Sequence, residues 1–248
     1  MTNQQKPATT GQLSAIGFKI AGTIIRVLGD GGFSFDQAQH FVLSDKKELE
    51  ELTEKFCEEV LGVKVDHWTE EKRKIEIFYK KFFNRQVDWT KLSLPVKTEK
   101  MSRLEVIFSD ITEDQALEAY AKKFGKDAVW KYYDSITDAI REQQARPEGD
   151  YPMCHVGGDE PDMLGKSYDD GIEAGTKFMV PKEGIIAAFR HRTETSKMYD
   201  VKGLTRFAAL DSGGHAMFMI RRDYGQFYIG SGHRGGRLSD HGLRQVGF

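Results

Sequence analysis

The side chains able to do covalent or acid–base chemistry are few and scattered along the chain. Five of the seven histidines lie at or after His155, so the thiol of Cys154 could pair with His215 or His233 as nucleophile and base. Adjacent Cys154 and His155 are not themselves such a pair, because neighbours on a strand point to opposite faces. His191, His215, His233 and His241 show no zinc spacing, such as two ligands four apart on one helix. The acidic loop GDEPD at 158–162 lacks the alternating oxygen ligands and the following glutamate of a calcium loop. Gly29-Asp30-Gly31-Gly32 lacks the Lys and Ser/Thr that complete a phosphate loop. The residue pattern therefore implies neither a metal nor a cofactor, and an enzyme reading rests on the cysteine–histidine combination alone.

Contact chemistry is denser than covalent chemistry, and it gathers at one end. From Gly203 to Phe248 there is no Lys and no Glu, whereas the preceding residues hold 41 of them. Positive charge in that stretch is all Arg, set among Gly, Ser, Asp, His, Tyr and Phe. Rigid amphipathic rings and Arg forks among small residues are the vocabulary of an adaptable contact surface. From Val201 onward seven basic residues face three acidic ones, while the whole chain carries a net charge of −2. A mildly cationic end on a mildly acidic body favours local steering of a partner over wholesale attraction to nucleic acid or membrane. Arg221, Arg222, Arg234, Arg237 and Arg244 keep a nucleic-acid alternative open, although Lys and a stacking platform are missing.

The elements that must position these residues can be read from periodicity. A chain of 248 residues, 39% hydrophobic and 30% charged, has the composition of a globular protein with a real core. Helices are expected over Leu13–Val27 and Asp45–Val60, where Cys57 beside Phe56 reads as a buried hydrophobe. The run at 70–86 is an amphipathic helix or strand, and Arg103–Phe108 is a strand. Thr112 caps a helix closed by Gly125, and another is expected over Ser135–Gln144. Arg146–Asp150 reads as a linker, which puts a boundary between a mainly helical region, 1–146, and an α+β domain, 147–248. In that domain Tyr151–Val156 is extended, a helical stretch covers 169–178, and Pro181 starts a helix running toward Ser196. Three antiparallel strands follow at 204–210, 216–221 and 226–230. Two widely separated cysteines and an N-terminus without a secretion signal make a reduced cytoplasmic setting the default, with export by another route left open. No stretch approaches the roughly 20 apolar residues of a membrane span.

The motif order resembles a family of uncharacterised proteins encoded in multiple copies by uncultivated small-genome bacteria. The residues that carry the likeness are MSRLEVIFSDITEDQALEAYAKKFG, DSITDAIREQ, GDYPMCHVGG and the run from Gly184 to Met219. In that family a helix ends in a Glu-Thr-Gly-Lys turn, and a Trp-Thr strand, a Ser/Asp/Gly turn and an intensely variable tail follow. This chain has Glu194-Thr195-Ser196-Lys197, with Ser for Gly, and Leu204-Thr205 for Trp-Thr; Asp211-Ser212-Gly213-Gly214 and Gly242-Leu243-Arg244 match. The resemblance, over residues 100–248, implies a target of a diversity-generating retroelement, in which adenines of a terminal cassette are rewritten, displayed on a C-type lectin-like fold. Rewriting AAC or AAT codons cannot produce Lys, Glu, Gln, Met or Trp. Between His215 and Leu243 only Met217, Met219 and Gln226 lie outside the accessible set.

On that reading the segment 211–248 is a variable tail that presents a surface to an unknown ligand, expected to be a protein. Alternation turns Met217, Met219, Phe227 and Ile229 inward and Phe218, Ile220, Arg222, Tyr228 and Gly230 outward. Loop residues Asp223, Tyr224, Gly232, His233, Arg234, Gly236, Arg237, Ser239, Asp240 and His241 complete the expected contact surface, with Tyr and Arg as anchors. An ordinary glycine-rich β tail of an undiversified interaction protein is the alternative.

Overall fold

The computed structural model describes residues 68–222 and 225–248. The helices expected over 13–27 and 45–60, Cys57, Asp223 and Tyr224 lie outside them. The charged run becomes helix α1, Thr69–Phe83, because Glu71, Ile75, Phe78 and Tyr79 recur at helical spacing and are its buried face. Asn84 closes it in the left-handed conformation at φ 52. Strand β1, Arg103–Ile107, is followed by α2, Glu113–Phe124, whose Thr112 and Gln115 form a reciprocal capping box. Short strand β2, Val129–Lys131, leads to a single helical turn α3, Ile136–Ala139, and strand β3, Ile140–Gln143. The helix expected over 135–144 thus stops after four residues. Asp114 of α2 explains the start, accepting from Ser135 Oγ and from the Ile136 and Thr137 amides. Pairing of β3 with the strand at Asp211 explains the stop.

Strand β4, Tyr151–His155, and β5, Met163–Leu164, precede α4, Tyr168–Glu173, which is also shorter than the expected 169–178. Gly175 at φ 65 and the bond from Thr176 N to Gly171 O break it off. Helix α5, Pro181–Thr195, opens with Pro at its first turn and closes on Ser196 in the left-handed conformation at φ 63. Five strands complete the chain: β6 Leu204–Asp211, β7 Ala216–Arg222, β8 Gln226–Gly232, β9 His241–Leu243 and β10 Val246–Gly247.

The architecture is mixed α+β with two sheets. One has the order β1-β4-β10; the other runs β2-β8-β7-β6-β9-β5 with β3 added to β6. The antiparallel meander β6-β7-β8 is as expected, but β2 pairs β8 and β9 pairs β6 in parallel, so the larger sheet is mixed. Residues 68–248 form one compact unit. The break expected after residue 146 therefore falls inside that unit: β1 pairs β4 across it over five residues. Arg146 is an anchor, gripping Glu183 in the first turn of α5 through Nε (2.6 Å) and Nη2 (3.0 Å).

A buried charge network joins the layers. Arg190 of α5 is fully buried; its Nε donates to both Glu105 oxygens (3.0 and 2.9 Å), Nη1 to Glu194 (2.8 Å), and Nη2 to Glu71 (2.8 Å) and the Leu104 carbonyl (2.7 Å). Helix α1, strand β1 and helix α5 are thereby tied at one guanidinium. Above this knot Phe78, Phe189, Tyr120 and Phe227 make a chain of ring contacts, with Phe78–Phe189 centroids at 4.9 Å and Tyr120–Phe227 at 5.3 Å.

Two predictions follow from these contacts. Burial alone would raise the Glu105 pKa, but Arg190 and the His155 hydrogen bond outweigh it and hold it at about 2 against an ordinary 4.5. A depressed folded-state pKa stabilises the fold above pH 4.5, and that contribution, about 3 kcal/mol, is lost as pH falls through 2. Acid titration of the unfolding free energy will show this loss between pH 4.5 and 2, and Glu105→Gln will flatten it; an unchanged acid limb in the variant would refute the assignment. Ser196→Gly removes a left-handed non-glycine residue and is expected to add about 0.5–1 kcal/mol in a denaturant melt, whereas a loss of stability would show that the Ser196 side chain contributes more than the strain it carries.

Candidate functional site

Strand β6 is buried along its whole length, and its two faces do different things. Phe207 and Ala209 join the main core beneath α5, together with Met217, Met219, Phe227 and Ile229. These four are the residues expected to point inward. Gly184 lets α5 approach this face: a Cβ there would collide with the Phe207 ring. On the other face Ala208, Leu210 and Ala216 form a second small core with Tyr168 of α4, Phe178 and Leu243. That second core covers only one end of the face. Over Leu204, Arg206, Phe218 and Ile220 the sheet is open, and a groove of about 490 Å³ results.

The groove gathers nine of the residues expected at a contact surface: Phe218, Ile220, Arg222, Tyr228, Gly232, His233, Gly236, Arg237 and His241. Their strand neighbours make this possible, since Leu204 faces Ile220, Arg206 faces Phe218, and Ile220 faces Tyr228 in register. Tyr228 is on the expected face but only 8% exposed. The Trp130 ring of the parallel strand β2 stacks on it at 4.6 Å and 10°, and the Arg222 guanidinium lies 3.9 Å over it. Gly230 is likewise buried rather than presented, because the Tyr228 ring fills the space where its Cβ would be.

The loop between β8 and β9 forms the far wall and is tied down at two points. Arg234 Nε meets Asp169 at 2.5 Å, outside the groove, and Arg237 grips Asp170 through Nε (2.9 Å) and Nη2 (2.5 Å). Two of the arginines that kept a nucleic-acid reading open are thus neutralised by α4. Ser239 and Asp240 sit in an exposed turn beyond the groove, where the Asp240 carbonyl accepts from Leu204 N.

Leu204, Leu238 and above all Arg206 belong to the groove although the sequence pattern did not single them out. Arg206 is 3% exposed. Its Nη1 donates to the His233 carbonyl (3.3 Å) and its Nη2 to His241 Nδ1 (3.0 Å), both neutral acceptors, and its Nε has no acceptor. Among the described residues no carboxylate pairs with it, and burial lowers its pKa. Burial, then the neighbouring Arg206 cation, lowers the His241 pKa against the opposing pull of Asp240, and a bond from Arg206 into Nδ1 assigns the ring proton to Nε2, which faces Asp240 Oδ1 at 3.9 Å. The signal available in the sequence was an Arg enclosed by the apolar strand Leu204-Thr-Arg-Phe-Ala-Ala-Leu210.

The groups that would make a cysteine–histidine enzyme are placed apart. Cys154 sits in β4 with its Sγ 3.6 Å from Met101 Sδ, and burial pushes its thiol up. His155 lies beside Glu105 (3.5 Å), and His215 is in the β6–β7 turn beside Asp211 (3.5 Å). Asp211 organises that turn: Oδ1 accepts from the Gly213 and His215 amides (2.9 Å each) and Oδ2 from Tyr133 and Ser231 (2.7 Å each). Burial would raise its pKa, and these donors together bring it to about 2.

Comparison of the chain with protein-family models, curated proteins and solved structures finds no match in any of the three.

An unpaired buried cation destabilises the strand that carries it. Arg206→Met, which keeps the apolar stem length, is expected to raise the midpoint of thermal unfolding by about 2–4 °C. A fall of that size would mean that the bonds to His233 and His241 outweigh the burial of the charge.

Proposed function

We propose that this chain is a binding protein that uses the groove face of β6-β7-β8 to engage a protein ligand, and that its tail, 211–248, is the variable part of a diversity-generating retroelement target on a C-type lectin-like display domain. One observation carries the reading. Met217 and Met219, two of the four residues in the tail that adenine rewriting of Asn codons cannot produce, are buried against the core, while every described tail residue lining the groove belongs to the accessible set. The two methionines that rewriting could not produce thus lie on the core face of the sheet, together with Phe227 and Ile229, which it could. A buried meander beneath an open face also suits display, since side chains on the open face can change without entering the core.

Sequencing of sibling gene copies tests this directly. Substitutions are expected to concentrate at Phe218, Ile220, Arg222, Tyr228, His233 and Arg237, to spare Met217, Met219, Phe227 and Ile229, and to match a nearby template repeat. Substitutions spread evenly over both faces, or no template repeat for the last hundred or so nucleotides, would sink the proposal.

A further inference from the structure

The groove has a fixed electrostatic anchor that lies upstream of the tail. Arg206 belongs to β6, and its side chain lines the groove beneath the β8–β9 loop. A guanidinium enclosed this far ordinarily meets a carboxylate, as Arg190 meets Glu105 and Arg244 meets Asp200 (3.2 Å). Arg206 meets a carbonyl oxygen and a ring nitrogen instead, and its Nε meets nothing. The other cations at the groove are already engaged, Arg237 by Asp170 and Arg222 by the Tyr228 ring. Arg206 is therefore the one buried groove cation without a carboxylate among the described residues, Arg222 being exposed; it is set directly across the strand pair from Phe218 and two residues along from the Leu204–Ile220 pair.

We propose that Arg206 receives the C-terminal carboxylate of a partner protein whose last residue is apolar. The proposal rests on the groove being the contact face. A terminal carboxylate brings one negative charge, which one guanidinium matches, and an Arg fork binds it through two parallel N–H bonds. The apolar side chain of the same residue reaches a few ångströms away, the spacing between directly opposed positions of a strand pair, and would lie on Phe218 and Ile220. A phosphate monoester fits less well. It carries nearly two charges and calls for several donors, and no helix N-terminus borders the groove among the described residues. With Nδ1 of His241 accepting from Arg206, its Nε2–H is a further donor at the groove, 3.9 Å from Asp240 Oδ1 and so not hydrogen-bonded to it.

The test is titration of the full chain with N-acetyl-phenylalanine, with the corresponding uncharged N-acetyl-phenylalanine amide, and with inorganic phosphate, followed by calorimetry and by the NMR signal of the Arg206 Nε–H. The acid is expected to bind about tenfold or more tightly than the amide and to shift that signal, with phosphate weaker than the acid. Arg206→Met should abolish the preference for the acid. Equal binding of acid and amide would overturn the carboxylate assignment while leaving the groove as a contact face; tighter binding of phosphate, or absence of any acid binding, would overturn it as well. The acid–amide comparison uses the unaltered chain and so does not depend on the variant folding. Failure of the contact-face reading shows up separately, as even variation among sibling genes.

Discussion

The fold is organised around the cost of burying Arg190. A guanidinium withdrawn from water is tolerated only when each donor finds an acceptor and its charge is balanced, and here three glutamates from three elements together with a main-chain carbonyl meet that demand. The geometry is restrictive because a planar fork accepts partners in one plane only. Helix α1, strand β1 and helix α5 consequently have little freedom to slide, and the ring contacts of Phe78, Phe189, Tyr120 and Phe227 pack in the space this fixes. Removing one carboxylate from such a set leaves charge stranded and costs about 3–5 kcal/mol, more than most apolar substitutions.

The same residue type plays the opposite part in β6. Arg206 is as enclosed as its neighbours, yet only neutral groups reach it. Contrast between the two arginines separates a charge that holds elements together from one that the scaffold merely carries. Both faces of β6 are needed for this: one is filled by α5 and the aromatic core, and the other is roofed at one end by Tyr168 and Phe178 and left open at the other.

Local signals in the sequence were legible where a single element decides its own conformation. Thr112 as a helix cap, Pro181 at a first turn, and alternation from Ala216 to Arg222 each act within one helix or strand, and the structure has them as read. Non-local pairing was not legible. Ile140–Gln143 follows a helical turn in sequence but is drawn into the sheet by β6, and Arg146-Pro147-Glu148-Gly149 has the composition of a linker although its Arg reaches 37 residues ahead to Glu183. At the site, alternation sorted Phe218, Ile220 and Arg222 from the two methionines. It could not show that Trp130, about a hundred residues earlier, lies over Tyr228, nor that Arg206 turns from its strand toward the loop at His233.

The closing segment is stitched into both sheets. After the groove loop the chain enters the larger sheet as β9 beside β6, passes through buried Arg244, and ends in the smaller sheet as β10 beside β4. The loop before it is pinned at Asp169 and Asp170. Its two ends are thus a fixed distance apart, and an added or lost residue would pull β9 out of step, turning Leu243 away from Phe178 and Arg244 away from Asp200. Such a frame tolerates a change of spelling far better than a change of length. Any process that alters this surface by exchanging bases one for one leaves the frame intact, while recombination that shifts the count of residues does not.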